Sequence, residues 1–146
     1  MEAYITMEES IEAQLVEDFS LFDTWDDKYE YIIELGKKLP TFPESEKKVE
    51  NKIKGCQSSV WLIAEYKEGK VWFQADSDSV IVKGLVSLLI KVLSGQTPDY
   101  IINSKLEFME KIGLMQHLAQ TRSNGLLAMV KQMKLYAMAF KATNRE

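Results

Sequence analysis

The sequence predicts an α+β domain in which a small antiparallel sheet of about three strands packs against helices. Three observations carry this. Apolar residues recur every three or four positions in both the N-terminal and the C-terminal parts of the chain, the spacing of a helix face. Two short runs rich in β-branched and aromatic residues flank Glu68-Gly69, a hairpin signal. Pro40, Pro43, Gly95 and Pro98 punctuate the segments between.

The elements follow in order. Ile11, Leu15, Phe19 and Phe22 mark a first helix over 8–22. A second runs from Asp26 to Lys38, with Tyr29, Ile32, Ile33 and Leu35 facing inward and Gly36 near its end. Pro40 and Pro43 stop it, since proline cannot donate to the helix ladder and restrains the residue before it. Glu44 to Glu50 reads as a polar loop, and Asn51 to Lys54 as a short strand extending the sheet. Val60 to Tyr66 and Val71 to Ala75 form the hairpin. Asp76-Ser77-Asp78-Ser79 supplies helix-capping side chains. The helix that follows buries Ile81, Leu85, Leu88, Leu89 and Val92 and ends at Gly95. Thr97-Pro98 opens a short helix to Ile102, and another covers Leu106 to Ile112. Ser123 is the expected cap of a long last helix with Leu126, Met129, Val130, Met133, Ala137 and Phe140 on one stripe, read as core.

Composition narrows the function classes. The 146 residues suit one domain, taken as 1–146, and no linker or repeat divides them. With 46% hydrophobic and 27% charged residues the chain reads as an ordinary globular protein. A net charge of -4 without a basic block argues against nucleic-acid binding. No apolar run reaches membrane-spanning length. The start Met1-Glu2-Ala3, with acids at Glu8, Glu9 and Glu12, is unlike a secretory leader, so the cytoplasm is the expected compartment. With no coiled-coil seam, a monomer is expected.

Cys56 is the only cysteine, in Lys52-Ile53-Lys54-Gly55-Cys56-Gln57-Ser58. Gly55 suits a tight turn, Gln57 and Ser58 an accessible loop, and Lys52 and Lys54 are expected to favour the reactive thiolate. The plainer alternative is a small buried cysteine ahead of a strand. One Cys and one His fall short of a zinc or iron–sulfur ligand set. A thiol hydrolase pairing Cys56 with His117, and with Asp76 or Asp78, stays open, because such a triad is spatial. Asp76 and Asp78 are more simply caps than an acid–base pair. Gly84 and Lys83 lack the spacing of a phosphate loop. Arg122, in a polar turn, either anchors a helix start or pairs with an acid across an interface.

Four segments, in order, resemble the SufE family of sulfur acceptors, including its CsdE branch. They are Trp25-Asp26-Asp27-Lys28-Tyr29 with Ile32-Ile33-Glu34-Leu35-Gly36; Asn51-Lys52-Ile53-Lys54-Gly55-Cys56-Gln57-Ser58 with Val60-Trp61; Asp76-Ser77-Asp78 with Ile81-Val82-Lys83-Gly84-Leu85; and Gln116-His117-Leu118 with Thr121-Arg122-Ser123-Asn124-Gly125-Leu126. The resemblance covers Ile11 to Phe140. It implies a fold shared with IscU-type scaffolds, whose cluster ligands this chain lacks. It implies that Cys56 takes a sulfane sulfur from a PLP-dependent cysteine desulfurase, SufS-like or CsdA-like, and stimulates it. The sulfur then passes to an iron–sulfur scaffold such as the SufBCD complex. The chain itself would bind neither PLP nor metal. The resemblance gives Gln57, Ser58, Asp78, Glu110 and Arg122 roles in partner binding or loop support. One departure stands out: the family's Ser/Thr-Pro after His-Leu is Ala119-Gln120 in this chain.

Overall fold

Two glycines set the packing of the helical layer. The computed structural model describes residues 7–144, so Met1-Glu2-Ala3, on which the expectation of no secretory leader rests, lies outside the described residues. Helix α1 spans Met7–Ser20 and α2 spans Trp25–Lys37, capped by Thr24, whose hydroxyl accepts from the Asp27 amide. Helix α3 spans Val80–Leu93 and crosses α2 backbone against backbone. A methyl on Gly84 would stand 2.3 Å from the Ile32 carbonyl oxygen, and one on Gly36 would stand 2.7 Å from the Gly84 nitrogen. Only a residue without Cβ allows that approach.

Strands β1 (Val60–Lys67) and β2 (Lys70–Ser77) form an antiparallel hairpin, with Val60 opposite Ser77 and Lys67 opposite Lys70. Glu68 and Gly69 both take positive φ, as a two-residue turn matched to strand twist requires. Val60, Leu62, Val71, Phe73 and Ala75 turn toward α3 and join the buried core. The expected third strand shrinks to one bridge. Residues Val49–Asn51 form a 3-10 turn, and Lys52 then pairs with Trp61 while the Ile53 amide donates to the Val60 carbonyl. Pairing stops there because the chain turns away at Gly55, whose φ is +92°. The polar loop before it holds another 3-10 turn, Glu44–Glu46.

After α3 the chain makes α4 (Pro98–Asn103), α5 (Phe108–Lys111), α6 (Leu114–His117) and the long α7 (Gln120–Thr143). The segment expected as one helix over 106–112 is shorter, and Gly113 at φ +79° separates it from α6. Leu126, Met129, Met133 and Ala137 bury against the rest, with Val130 and Phe140 at the margin.

The start of α7 differs from expectation. Ser123 is not its cap. The helix begins at Gln120, and Ala119 receives the amides of Arg122 and Ser123 on its carbonyl while offering no capping side chain. Ser123 lies inside the first turns, buried, with its hydroxyl unpartnered. Ala119-Gln120 therefore occupies the N-cap and first helical positions, where serine or threonine followed by proline is most favourable.

Two stability changes follow. Gly84→Ala should cost about 3 kcal/mol in urea unfolding, because a methyl has no room against the α2 backbone; a loss below about 1 kcal/mol would show that the helices part freely. Ala119→Ser should add about 1 kcal/mol by capping α7; no gain in midpoint would show that another group already serves those amides.

Candidate functional site

Cys56 lies where the loop after Gly55 folds onto the N-terminal half of α7. Gly55 itself packs on that helix, since a methyl there would stand 3.3 Å from Cβ of Ala128. The Cys56 thiol then faces Gly125, with Sγ 3.6 Å from the Gly125 carbonyl oxygen. A side chain at Gly125 would place its Cβ 3.5 Å from Sγ. Glycine inside a helix costs roughly 1 kcal/mol against alanine. At this position its bare surface lets the loop and the sulfur lie flat on the helix.

The thiol opens on a cavity of about 70 Å³ lined by Cys56, Gln57, Ser58, Thr121, Arg122 and Gly125, over Val82, Leu85 and Met129. Helices α3 and α7 supply most of its lining, so the placement of their N-terminal parts fixes its shape. Ser79 caps α3, its hydroxyl accepting from the Val82 amide. Asp78 ties the exit of the cysteine loop to that cap. Its carboxylate accepts from the Ser59 amide at 3.1 Å, and its own amide donates to the Ser59 carbonyl. The Ser77 hydroxyl donates to the same carbonyl at 2.7 Å.

Asp76 does different work. It pairs with Lys47 at 3.2 Å and Lys83 at 3.4 Å, joining the loop before Cys56 to the start of α3. Burial opposes its charge, but the Ser77 amide and the two lysines outweigh burial and hold the carboxyl below its ordinary value. That contribution is complete above the unfolded carboxyl range and is lost as pH falls through the lowered value. Neither Asp76 nor Asp78 is placed as half of an acid–base pair.

The expectation that Lys52 and Lys54 favour the thiolate is corrected. Burial pushes the Cys56 thiol up. Lys52 instead sits over the Trp61 ring, 5.7 Å from its centroid, and Lys54 is exposed. The Gly125 carbonyl acts in the same direction, since it accepts from a thiol and repels a thiolate. Because the folded value lies above the unfolded one, the neutral thiol stabilises the fold at all pH below the unfolded value. This stabilisation disappears as pH rises through the folded value.

The other sequence-derived residues divide. Gln57, Ser58 and Arg122 line the cavity with Cys56. Arg122 is partly buried and has no ion pair among the described residues. Glu110 is exposed on α5, which packs on α1 and α6, and it is not part of the cavity wall. His117 is not brought to the thiol. Its ring stacks on Trp25 at 4.1 Å, its Nδ1 lies 3.0 Å from the Gly113 carbonyl oxygen, and its own carbonyl accepts from the Tyr29 hydroxyl. The hydrolase arrangement therefore lacks its base. Sequence reasoning did not single out Gly125, Val82, Leu85 or Met129 as parts of the site. The signal for Gly125 was a glycine in the interior of an apolar-periodic helix, which marks a close approach.

The model of the SufE family, an Fe-S metabolism associated domain, matches residues 13–137. The chain belongs to the SufE family. Two SufE-like relatives, both described as uncharacterized, agree with this. One from Rhizobium meliloti is 40% identical over 126 residues, covering 83% of this chain and 90% of the relative. One from Rhizobium etli is 41% identical over 126 residues, covering 83% and 85%. The fold is shared with the solution structure of a hypothetical protein from Thermus thermophilus. That likeness has a TM-score of 0.75 over 92% of this chain and 97% of the other, at 21% identity. Membership in SufE associates the chain with Fe–S metabolism. Among the described residues no helix is long and apolar enough to cross a membrane.

The raised thiol has a direct readout. The rate of Cys56 alkylation by iodoacetamide should climb with pH through about 8.5, the ordinary cysteine value, without levelling off. A plateau near pH 7 would reveal a stabilised thiolate and contradict the effect assigned to burial and the Gly125 carbonyl.

Proposed function

We propose that this SufE-family chain accepts sulfane sulfur on Cys56 from the persulfide of a PLP-dependent cysteine desulfurase, SufS-like or CsdA-like. It stimulates that enzyme and passes the sulfur to an iron–sulfur scaffold such as the SufBCD complex. It is an accessory protein that works as a monomer in the cytoplasm. PLP stays with the partner, and the iron–sulfur cluster is the product of the pathway it serves.

The observation that carries the reading is the placement of the single thiol of a SufE-family domain in the lining of a small cavity, directly after a glycine of positive φ. The step is redox-neutral. The Cys56 thiolate attacks the outer sulfur of the donor persulfide, a new sulfur–sulfur bond forms, the old one breaks, and the donor leaves as a thiolate that takes a proton. A chain with one thiol cannot resolve its own persulfide into a disulfide, so the sulfur waits for an acceptor.

The neutral resting thiol adds a control. Cys56 ionises more readily when its contact with the Gly125 carbonyl is broken, as when its loop turns outward on the docked partner. Gln57, Ser58, Asp78, Glu110 and Arg122 contribute to docking or to support of the loop.

Intact mass measured without reductant, after mixing with a desulfurase and cysteine, should show one added sulfur atom that is absent in Cys56→Ser. No gain with several desulfurases, in a protein whose Cys56 is alkylatable, removes the sulfur-transfer reading. Retained scaffold support by Cys56→Ser would instead favour a structural binding module.

A further inference from the structure

The wall of the Cys56 cavity has a chemical polarity that docking to a protein does not require. One side is the thiol. The polar lining shared with it is Arg122, partly buried and without an ion pair among the described residues, together with Ser58, Thr121 and Gln57. The floor is apolar: Val82, Leu85 and Met129. Among the described residues no aspartate or glutamate lines the cavity. A water needs on the order of 10–15 Å³ of such space. A cavity of about 70 Å³ therefore admits the reactive end of a small molecule and excludes a folded segment.

Guanidinium and carboxylate make strong charge-assisted pairs. A pocket that offers a guanidinium and hydroxyls within one small cavity of a thiol, and offers no acid to an ammonium, selects for a thiol compound that bears a carboxylate and no neighbouring ammonium. We infer that Cys56 also exchanges sulfur directly with small persulfides of that class, Arg122 receiving the carboxylate while Cys56 receives the sulfane sulfur. The inference rests on the reading of Cys56 as a persulfide carrier and adds a donor that is not a protein.

The atoms balance without an oxidant. The Cys56 thiol first loses its proton to solvent. Its sulfur attacks the outer sulfur of the protonated persulfide R–S–S–H. The Cys56–sulfur bond forms as the R–S to sulfur bond breaks, and the departing R–S⁻ is protonated to R–SH. Run backward, the same step unloads Cys56 onto a carboxylate-bearing thiol.

The test uses the full chain and three persulfides prepared in situ, from 3-mercaptopropionate, 2-mercaptoethanol and cysteamine. Their tails are anionic, neutral and cationic. The readout is the rate of gain of one sulfur atom on Cys56 by intact mass. The anionic donor should load Cys56 about tenfold faster than the neutral one, and the cationic donor should be slowest. Propionate should slow the anionic donor and leave the neutral donor alone. Arg122→Gln should bring the ratio of anionic to neutral rates to about one, and Arg122→Lys should restore part of it.

Equal rates for all three donors, or propionate without effect on the intact protein, would overturn the inference even if both variants failed to fold. The two readings fail separately. A desulfurase that loads Cys56 alongside equal small-donor rates removes only the direct exchange. Selective loading by the anionic donor, with no desulfurase able to load Cys56, removes only the protein donor.

Discussion

The close crossing of α2 and α3 is the constraint on which the rest depends. Ile32, Gly36 and Gly84 bring two helix backbones into contact, so α3 has almost no freedom to slide or roll on α2. Two of the three apolar residues of the cavity, Val82 and Leu85, are carried by α3, and Met129 comes from α7. Ser79 fixes where α3 begins, and Val82 and Leu85, in its first two turns, line the cavity together with Cys56. The hairpin packs across the other side of α3, and β2 hands the chain to the helix through Ser77 and Asp78. A shift at the glycine crossing is thus a shift of the sulfur's surroundings. Dense packing transmits such strain and does not absorb it.

On this rigid base the cysteine loop is held by contacts of a different kind. Polar ties secure its two ends: Asp76 with Lys47 and Lys83 before it, Asp78 and Ser77 with Ser59 after it. Its centre rests on α7 through van der Waals contact and a weak sulfur–carbonyl bond. The loop is firm where it joins the fold and loosely seated where it carries the thiol. That division leaves the thiol segment freer to shift than the two ends that hold it.

Much of the fold was legible because it rests on local rules. Helix faces at Leu15, Phe19, Ile32, Leu85, Leu88, Met129 and Met133 follow from period alone, and each is buried. The hairpin at Glu68-Gly69 and the cap at Thr97 are likewise local. The misses share a cause, which is that distant segments override local preference. Asn51 to Lys54 was read as extending the sheet, but the loop must leave the sheet to reach α7. Ser123 has capping chemistry, but the helix starts a turn earlier and buries it. In the site, Cys56 came from its loop pattern, the roles of Gln57, Ser58 and Arg122 came from the resemblance, and the cavity unites the four. The upward shift of the thiol was not legible, since Lys52 sits over Trp61, Lys54 is exposed, and burial decides the direction. Glu110 rests on resemblance alone, and its place on α5 leaves it outside the cavity.

A ribbon of two strands exposes two edges, and in this protein both are interrupted. Beyond β1, Lys52 pairs with Trp61, the Ile53 amide takes the Val60 carbonyl, and the Tyr136 hydroxyl reaches the Leu62 carbonyl. Beyond β2, Gln96 and Gly95 bond Val71, and the Ser94 hydroxyl takes the Phe73 amide. An incoming strand therefore meets no long uninterrupted row of backbone donors and acceptors, the template on which edge-to-edge association grows. Recognition by strand addition is hindered at residues 60–62 of β1 and 71–73 of β2. The same blunting works against copies of the chain zipping to one another along these edges.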